Sequence, residues 1–139
     1  KVVEFNCRLG DPEAQVVLPR LKSDLLGVLI CVALGDLSAV SLEWDDQSHV
    51  AVVLASEGYP GKYATGFPID GLAEMPPGVM VYHAGTRLED GAVLTDGGRV
   101  LAVSAPGGTL QEARLRAYDG AARIRFSGSF YRGDIALVQ

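Results

Sequence analysis

The sequence predicts an α+β fold: two helices in front, then an antiparallel sheet with one covering helix. Three observations carry this reading. From residue 11 to residue 35 the apolar residues fall in helical runs, broken by Pro19 and closed by Gly35. Beyond residue 47 they fall instead in short β-branched runs separated by Gly, Pro and Asp. Near the end, Thr109-Leu110-Gln111-Glu112 is a capping box, and Leu110, Ala113, Ala117, Ala121 and Ile124 behind it form a helical stripe. With 139 residues, 48% hydrophobic and 21% charged, the chain can bury a real core.

Taken in order, Val2, Val3 and Phe5 predict a strand over residues 2–8. Asp11 suits the N-cap of a first helix, with Pro12 at its first position and Pro19 ending it. Ser23 is the expected cap of a second helix over Leu25–Leu34, stopped by Gly35 in the left-handed conformation. Because that helix is apolar nearly all round, it is expected to be buried on most faces. Residues 36–47 form a polar connection, on which Trp44 is expected to pack the linker against the core. His49–Ser56 reads as a central strand and Gly58-Tyr59-Pro60-Gly61 as a turn. Ile69 falls in a short strand, and Val79–Ala84 makes another. Asp90-Gly91 and Gly97-Gly98 are two expected hairpin turns, the second leading into a strand from Arg99 to Ala105. In the final helix Gly120 costs about 1 kcal/mol relative to Ala. Short extended pieces at Ile124-Arg125-Phe126 and Phe130-Tyr131 close the chain.

Composition narrows the function classes. A net charge of −5 argues against a nucleic-acid surface, which needs a basic patch. The longest apolar run, Leu25 to Leu34, is short of the ~20 residues a membrane helix needs. Cys7 and Cys31 lack metal-ligand spacing and read as two buried thiols in a reducing compartment. Lys1 falls inside an expected strand, which suggests a truncated or cleaved product.

The chemistry-bearing stretch is Glu4-Phe5-Asn6-Cys7-Arg8-Leu9-Gly10-Asp11-Pro12-Glu13. On a strand, Glu4 and Asn6 share a face, and two hard oxygen donors side by side suit Mg²⁺. Arg8 continues the same face and adds a fork for phosphate or carboxylate. The competing reading is the solvated face of an amphipathic strand. Gly10 and Asp11 precede a helix N-terminus, where backbone N–H groups favour anions. Asp11 reads as the N-cap of that helix.

This stretch resembles the signature of the phosphoribosylamine–glycine ligases, ATP-grasp enzymes of purine synthesis. The resemblance extends through Leu18-Pro19-Arg20-Leu21-Lys22-Ser23-Asp24-Leu25, Gly58-Tyr59-Pro60-Gly61, His83-Ala84-Gly85-Thr86, Asp96-Gly97-Gly98-Arg99-Val100-Leu101 and Tyr131-Arg132-Gly133-Asp134-Ile135. Ala136 departs from the glycine that usually follows in that family. The resemblance implies the end of an ATP-grasp domain over residues 1–40 and a small antiparallel β barrel or sandwich over residues 41–139. It implies a cytoplasmic enzyme joining glycine to 5-phosphoribosylamine with ATP, through glycyl phosphate. Glu4 and Asn6 become ligands of Mg²⁺ or Mn²⁺, and Arg8 and Asp11 the candidate catalytic residues, with Asp11 either a plain N-cap or a cap that also orients a substrate amine. Gly10, Asp11, Pro12, Tyr59 and Arg99 become candidate substrate-binding residues. His83 reads as a structural histidine at a strand end, with a base near neutral pH as its competing role. Such ligases are about three times longer, and their ATP-binding lysines and remaining metal acid have no counterpart here, so the isolated chain is expected to be inactive. Two alternatives are a non-catalytic packing module and a related ATP-grasp purine enzyme.

Overall fold

The computed structural model describes residues 1–3, 5 and 7–137. Its centre is a pair of long antiparallel strands, β1 (Ser48–Ser56) and β5 (Arg99–Gly107). On the far side of β5 lies β2 (Met80–His83), and beside the end of β1 lies the short β6 (Ser129–Phe130), giving the order β2-β5-β1-β6. The hairpin β3 (Thr86–Glu89) and β4 (Ala92–Thr95) forms a second, two-stranded sheet. Asp90 and Gly91 take positive φ values of 49° and 81° at its turn, as an Asp-Gly hairpin requires.

One helix, α3 (Leu110–Arg123), covers one face of the four-stranded sheet. Thr109 caps it by accepting from the Glu112 backbone N–H at 3.1 Å. Glu112 reaches back one residue further than a capping box requires, accepting from the Gly108 N–H at 2.9 Å. Most of the expected stripe is the buried face: Ala113, Ala117 and Ala121 are fully buried and belong to one core with Val52, Leu54, Leu101 and Val103 of the sheet, while Leu110 at the start of the stripe is exposed. Each of those four larger side chains contributes about 1.5–3 kcal/mol by leaving water. Alanines on the helix bring it close to the sheet, and Gly120 and Gly107 bring it closer. A Cβ on Gly107 would lie 2.3 Å from the Ala113 backbone nitrogen.

The front of the chain differs from expectation in several places. Among the described residues, 2, 3, 5, 7 and 8 belong to no ladder, and Phe5 is 87% exposed. A strand needs a neighbour to take its backbone groups, and no described strand lies beside this segment. The first helix is shorter than expected, α1 (Ala14–Val17) followed by a 3-10 turn at Leu18–Arg20 that accommodates Pro19. Its N-cap position is Glu13, without a side-chain cap bond, because Asp11 is engaged elsewhere. The second helix, α2 (Leu25–Leu34), ends at Gly35 with φ 71° as expected. Asp24 caps it, accepting from the Leu26 and Gly27 N–H groups, while Ser23 bridges to the linker by donating to Ser41 O and accepting from the Glu43 N–H. No residue of α2 is buried, contrary to the expected burial. Apolar composition calls for cover, and the described chain supplies it only in part, at Gly27, Val28 and Cys31.

The linker is fastened through its backbone. Lys22 N–H donates to Glu43 O at 2.9 Å and Asp45 N–H to Arg20 O at 2.7 Å, around a bridge between Leu21 and Trp44. Trp44 stays 42% exposed, so backbone pairing and not indole packing holds the linker. Gly97-Gly98 is no hairpin, because β4 pairs with β3 and β5 pairs with β1 and β2 in the other sheet. Instead Gly97 packs against Gly85, whose Cα would be 2.9 Å from a Cβ at position 97. Ile69 lies between two isolated bridges and not in a strand of its own. Both cysteines are free, Cys7 exposed and Cys31 half-buried, so the expectation of two buried thiols is corrected. Among the described residues no helix is long and apolar enough to cross a membrane.

Candidate functional site

Strand alternation decides where a site can form. Along β1, Val50, Val52 and Leu54 enter the core beneath α3, so Ala51, Val53 and Ala55 face the other way. These small side chains leave room for residues 10–20 to lie across that second face. Ser104 of β5 fastens the segment by donating from Oγ to the Gln15 carbonyl at 2.9 Å.

Beside this segment opens a cleft of about 270 Å³. Ala51, Val53 and Ala55 line its floor, Pro12, Tyr59 and Arg99 one set of walls, and Phe130, Tyr131, Arg132 and Ile135 the other. The C-terminal strap that carries the latter wall is clasped to α3. Tyr118 Oη donates to Arg132 O and accepts from the Ile135 N–H, while Arg114 donates to Ile135 O and Gly133 O. Arg114 also sits over the Tyr118 ring, 4.6 Å from its centroid.

Arg99 reaches the cleft through an irregularity of the sheet. Leu54 pairs with Leu101, yet Ala55 pairs with Arg99, so β5 carries one extra residue at this point. A bulge of this kind re-aims a side chain. Here it places Arg99 in the same cleft as Ala55. The guanidinium then meets Asp11 twice, Nη2 lying 2.9 Å from Oδ2 and Nη1 donating to the backbone carbonyl at 3.1 Å. Gln15 Nε2 donates to the other carboxylate oxygen, Oδ1, at 2.9 Å. Asp11 is thus held at three atoms, and the peptide bond joining it to Pro12 of the cleft wall is cis. The second cis peptide, Tyr59-Pro60, lies in the turn that supplies Tyr59. A Cβ on Gly98 would fall 2.2 Å from the Tyr59 ring, so glycine at 98 seats that wall.

The sequence-predicted residues therefore divide into groups. Pro12, Tyr59 and Arg99 line one cleft, and Asp11 joins them through its contact with Arg99, with buried Gly10 next to it in the loop. Arg8 is exposed, its Nη1 donating to Leu9 O at 3.1 Å. Glu4 and Asn6 lie outside the described residues. Among the described residues no group of three His, Cys, Asp or Glu side chains could hold a metal ion. His83 lies elsewhere, at a cavity of about 380 Å³ on the other side of residues 14–19, beside Met80 and Tyr82. Its Nδ1 is 3.0 Å from Thr86 Oγ1. Burial raises the Tyr82 phenol above its ordinary range. Arg132 grips both oxygens of Asp134, at 2.9 and 2.6 Å, which holds that carboxyl below the ordinary range. Sequence reasoning missed Gln15 and the strap residues as parts of the site. Gln15 stands four residues after Asp11, the helical spacing at which side chains meet.

Residues 49–138 match the sequence family described as phosphoribosylglycinamide synthetase, C domain. The chain belongs to this family. The chain is 52% identical over 141 residues to phosphoribosylamine–glycine ligase of Streptomyces coelicolor, covering 98% of this chain and 34% of that one. It is 51% identical over 139 residues to the chloroplastic phosphoribosylamine–glycine ligase of Arabidopsis thaliana, covering 97% of this chain and 26% of that one. To the trifunctional purine biosynthetic protein adenosine-3 of Gallus gallus it is 53% identical over 137 residues, covering 97% of this chain and 14% of that one. The crystal structure of phosphoribosylamine–glycine ligase from Thermotoga maritima superposes with a TM-score of 0.81 at 34% identity, covering 96% of this chain and 32% of that one. The C-domain family chain thus spans about a third or less of the length of these relatives.

Proposed function

We propose that this chain forms the C-terminal part of a cytoplasmic phosphoribosylamine–glycine ligase, residues 1–40 ending an ATP-grasp domain and residues 41–139 forming the small domain. The observation that carries the reading is the cleft itself. Of the loop residues singled out by the ligase motif, Pro12 meets Tyr59 and Arg99 of the small domain around one cavity, and Asp11 beside it is bound by Arg99. The start of the family match at residue 49 supports the division into two parts. Uncovered apolar side chains on α2, among them Leu26, Leu29, Ile30 and Leu34, support its packing against the rest of the ATP-grasp enzyme.

In this reading the glycine carboxylate attacks the γ-phosphorus of ATP, giving glycyl phosphate and ADP. The amine of 5-phosphoribosylamine then attacks the glycyl carbonyl, and phosphate leaves. Catalysis of this kind rests on positioning and charge neutralisation. Glu4 and Asn6 would hold Mg²⁺ or Mn²⁺, which when bound neutralises phosphate oxygens. Arg8, exposed beside the loop, supplies a guanidinium for the acyl phosphate. Asp11 orients the attacking amine, while Gly10, Pro12, Tyr59 and Arg99 shape the substrate wall.

The test uses the intact ligase that carries this chain, with ADP release followed against three carboxylate-type acceptors. Glycine together with 5-phosphoribosylamine should support release. Bicarbonate or formate supporting it in place of glycine would assign the chain to a related ATP-grasp purine enzyme.

A further inference from the structure

We propose that Arg99 is a positioning residue: it acts through Asp11, locking the substrate loop to the small domain. This rests on the ligase reading above, and it changes what the arginine does within it. A guanidinium that binds substrate phosphate must keep donors free toward the ligand. Of its five N–H donors, the two that the structure shows engaged both go to one residue, Nη2 to the Asp11 carboxylate at 2.9 Å and Nη1 to the Asp11 carbonyl at 3.1 Å. Contact with both a side chain and its own backbone fixes the residue's orientation as well as its position.

Three further features point the same way. The bulge opposite Leu54 and Ala55 turns Arg99 toward the loop, at a point where regular pairing would set Ala55 against Val100. Gln15 takes the remaining carboxylate oxygen at 2.9 Å, so the acid is braced from its own helix and from the sheet. Ser104, on the same strand as Arg99, holds the Gln15 carbonyl at 2.9 Å. One strand therefore grips the loop at its start and the helix that follows it. The loop's geometry is set by a domain more than eighty residues away in the chain, since Asp11 and Arg99 are 88 positions apart.

The consequence is specific. Arg99→Ala in the intact ligase should release the loop and lower kcat/KM for glycine and 5-phosphoribosylamine by roughly 10- to 100-fold, the scale on which a small misplacement acts. KM for ATP should stay within about twofold, because the loop shapes the acceptor side of the site. Arg99→Lys keeps the charge but has no fork, so it should recover only part of the loss. Amide hydrogen exchange over residues 10–17 should rise in Arg99→Ala, and the losses from Arg99→Ala and Asp11→Asn should combine to less than their sum. Wild-type kinetics in Arg99→Ala would overturn the proposal. So would lost activity with unchanged exchange over residues 10–17, which would make Arg99 a direct substrate ligand. Failure of the ligase reading shows differently, as a wild-type protein without glycine-dependent ADP release, and the exchange comparison still decides the lock.

Discussion

Gly120→Ala tests the packing of α3 most sharply, because sequence and structure assign it opposite signs. By helix propensity alone, alanine at an interior position gains about 1 kcal/mol over glycine. Burying the extra methyl adds about 0.8 kcal/mol in the same direction. Against this stands the geometry. The new Cβ would lie 2.8 Å from Val79 Cγ1 and 3.0 Å from Val103 Cγ1, with Met75 Sδ at 3.6 Å. Valine has one strongly preferred rotamer, so neither γ-carbon swings aside cheaply. Val103 is fully buried and paired with both Val52 and Val81 at the middle of the sheet, so it cannot retreat. The helix must lift instead. Lifting loosens the contacts of Ala113, Ala117 and Ala121, which are fully buried. Overpacking costs of about 1–3 kcal/mol, together with those lost contacts, outweigh the two gains. We expect a net destabilisation of about 1 kcal/mol, read as a lower urea midpoint at unchanged slope. Val79→Ala in the same chain should relieve part of the loss. A midpoint that rises in Gly120→Ala would refute the close approach.

Two other outcomes follow from the same structure. Tyr118→Phe removes one hydroxyl that donates to Arg132 O and accepts from the Ile135 N–H. It should cost about 1–2 kcal/mol and speed proteolysis in residues 131–137, and unchanged cleavage there would contradict the clasp. His49 titrates below its ordinary range, chiefly because burial penalises the imidazolium and secondarily because Arg20 repels it, with Asp45 opposing. Its Nδ1 is buried, with no hydrogen-bond partner among the described residues. The fold favours the neutral ring, so the unfolded chain binds more protons, and stability is lost as pH falls from the ordinary histidine range through the lowered folded value. His49→Gln should flatten that part of the urea-midpoint profile; an unchanged slope between mildly acidic and neutral pH would contradict the assignment.

How far the sequence could be read depended on the range of the interactions involved. Features decided within a few residues were legible: the Asp90-Gly91 turn, the Gly35 stop, the Thr109 cap and the alanine stripe of α3. The β1 run was legible because its continuous apolar length suits a strand with neighbours on both sides. What failed was decided at a distance. Gly97-Gly98 has hairpin chemistry, but β5 finds β1 and β2 across the sheet and leaves β4 to β3. Asp11 has the features of a helix cap, yet Arg99 offers a charged, two-point contact and Gln15 a third, and together these outcompete a single N–H. α2 is as apolar as a buried helix, but burial also requires a partner surface, which composition cannot supply. The candidate site follows the same division. Its loop was visible as a motif, while the bulge that aims Arg99 and the strap that closes the cleft depend on register and long-range packing.

The central claim is that the cleft around Asp11, Pro12, Tyr59 and Arg99 is a wall of the ligase's substrate site. Its most direct test is amide hydrogen exchange on the intact ligase, with and without the product glycinamide ribonucleotide. The account predicts added protection over residues 10–17 and around Tyr59, with the solvent-facing side of α3 unchanged. Protection confined to α3, or absent from residues 1–139 altogether, would contradict it.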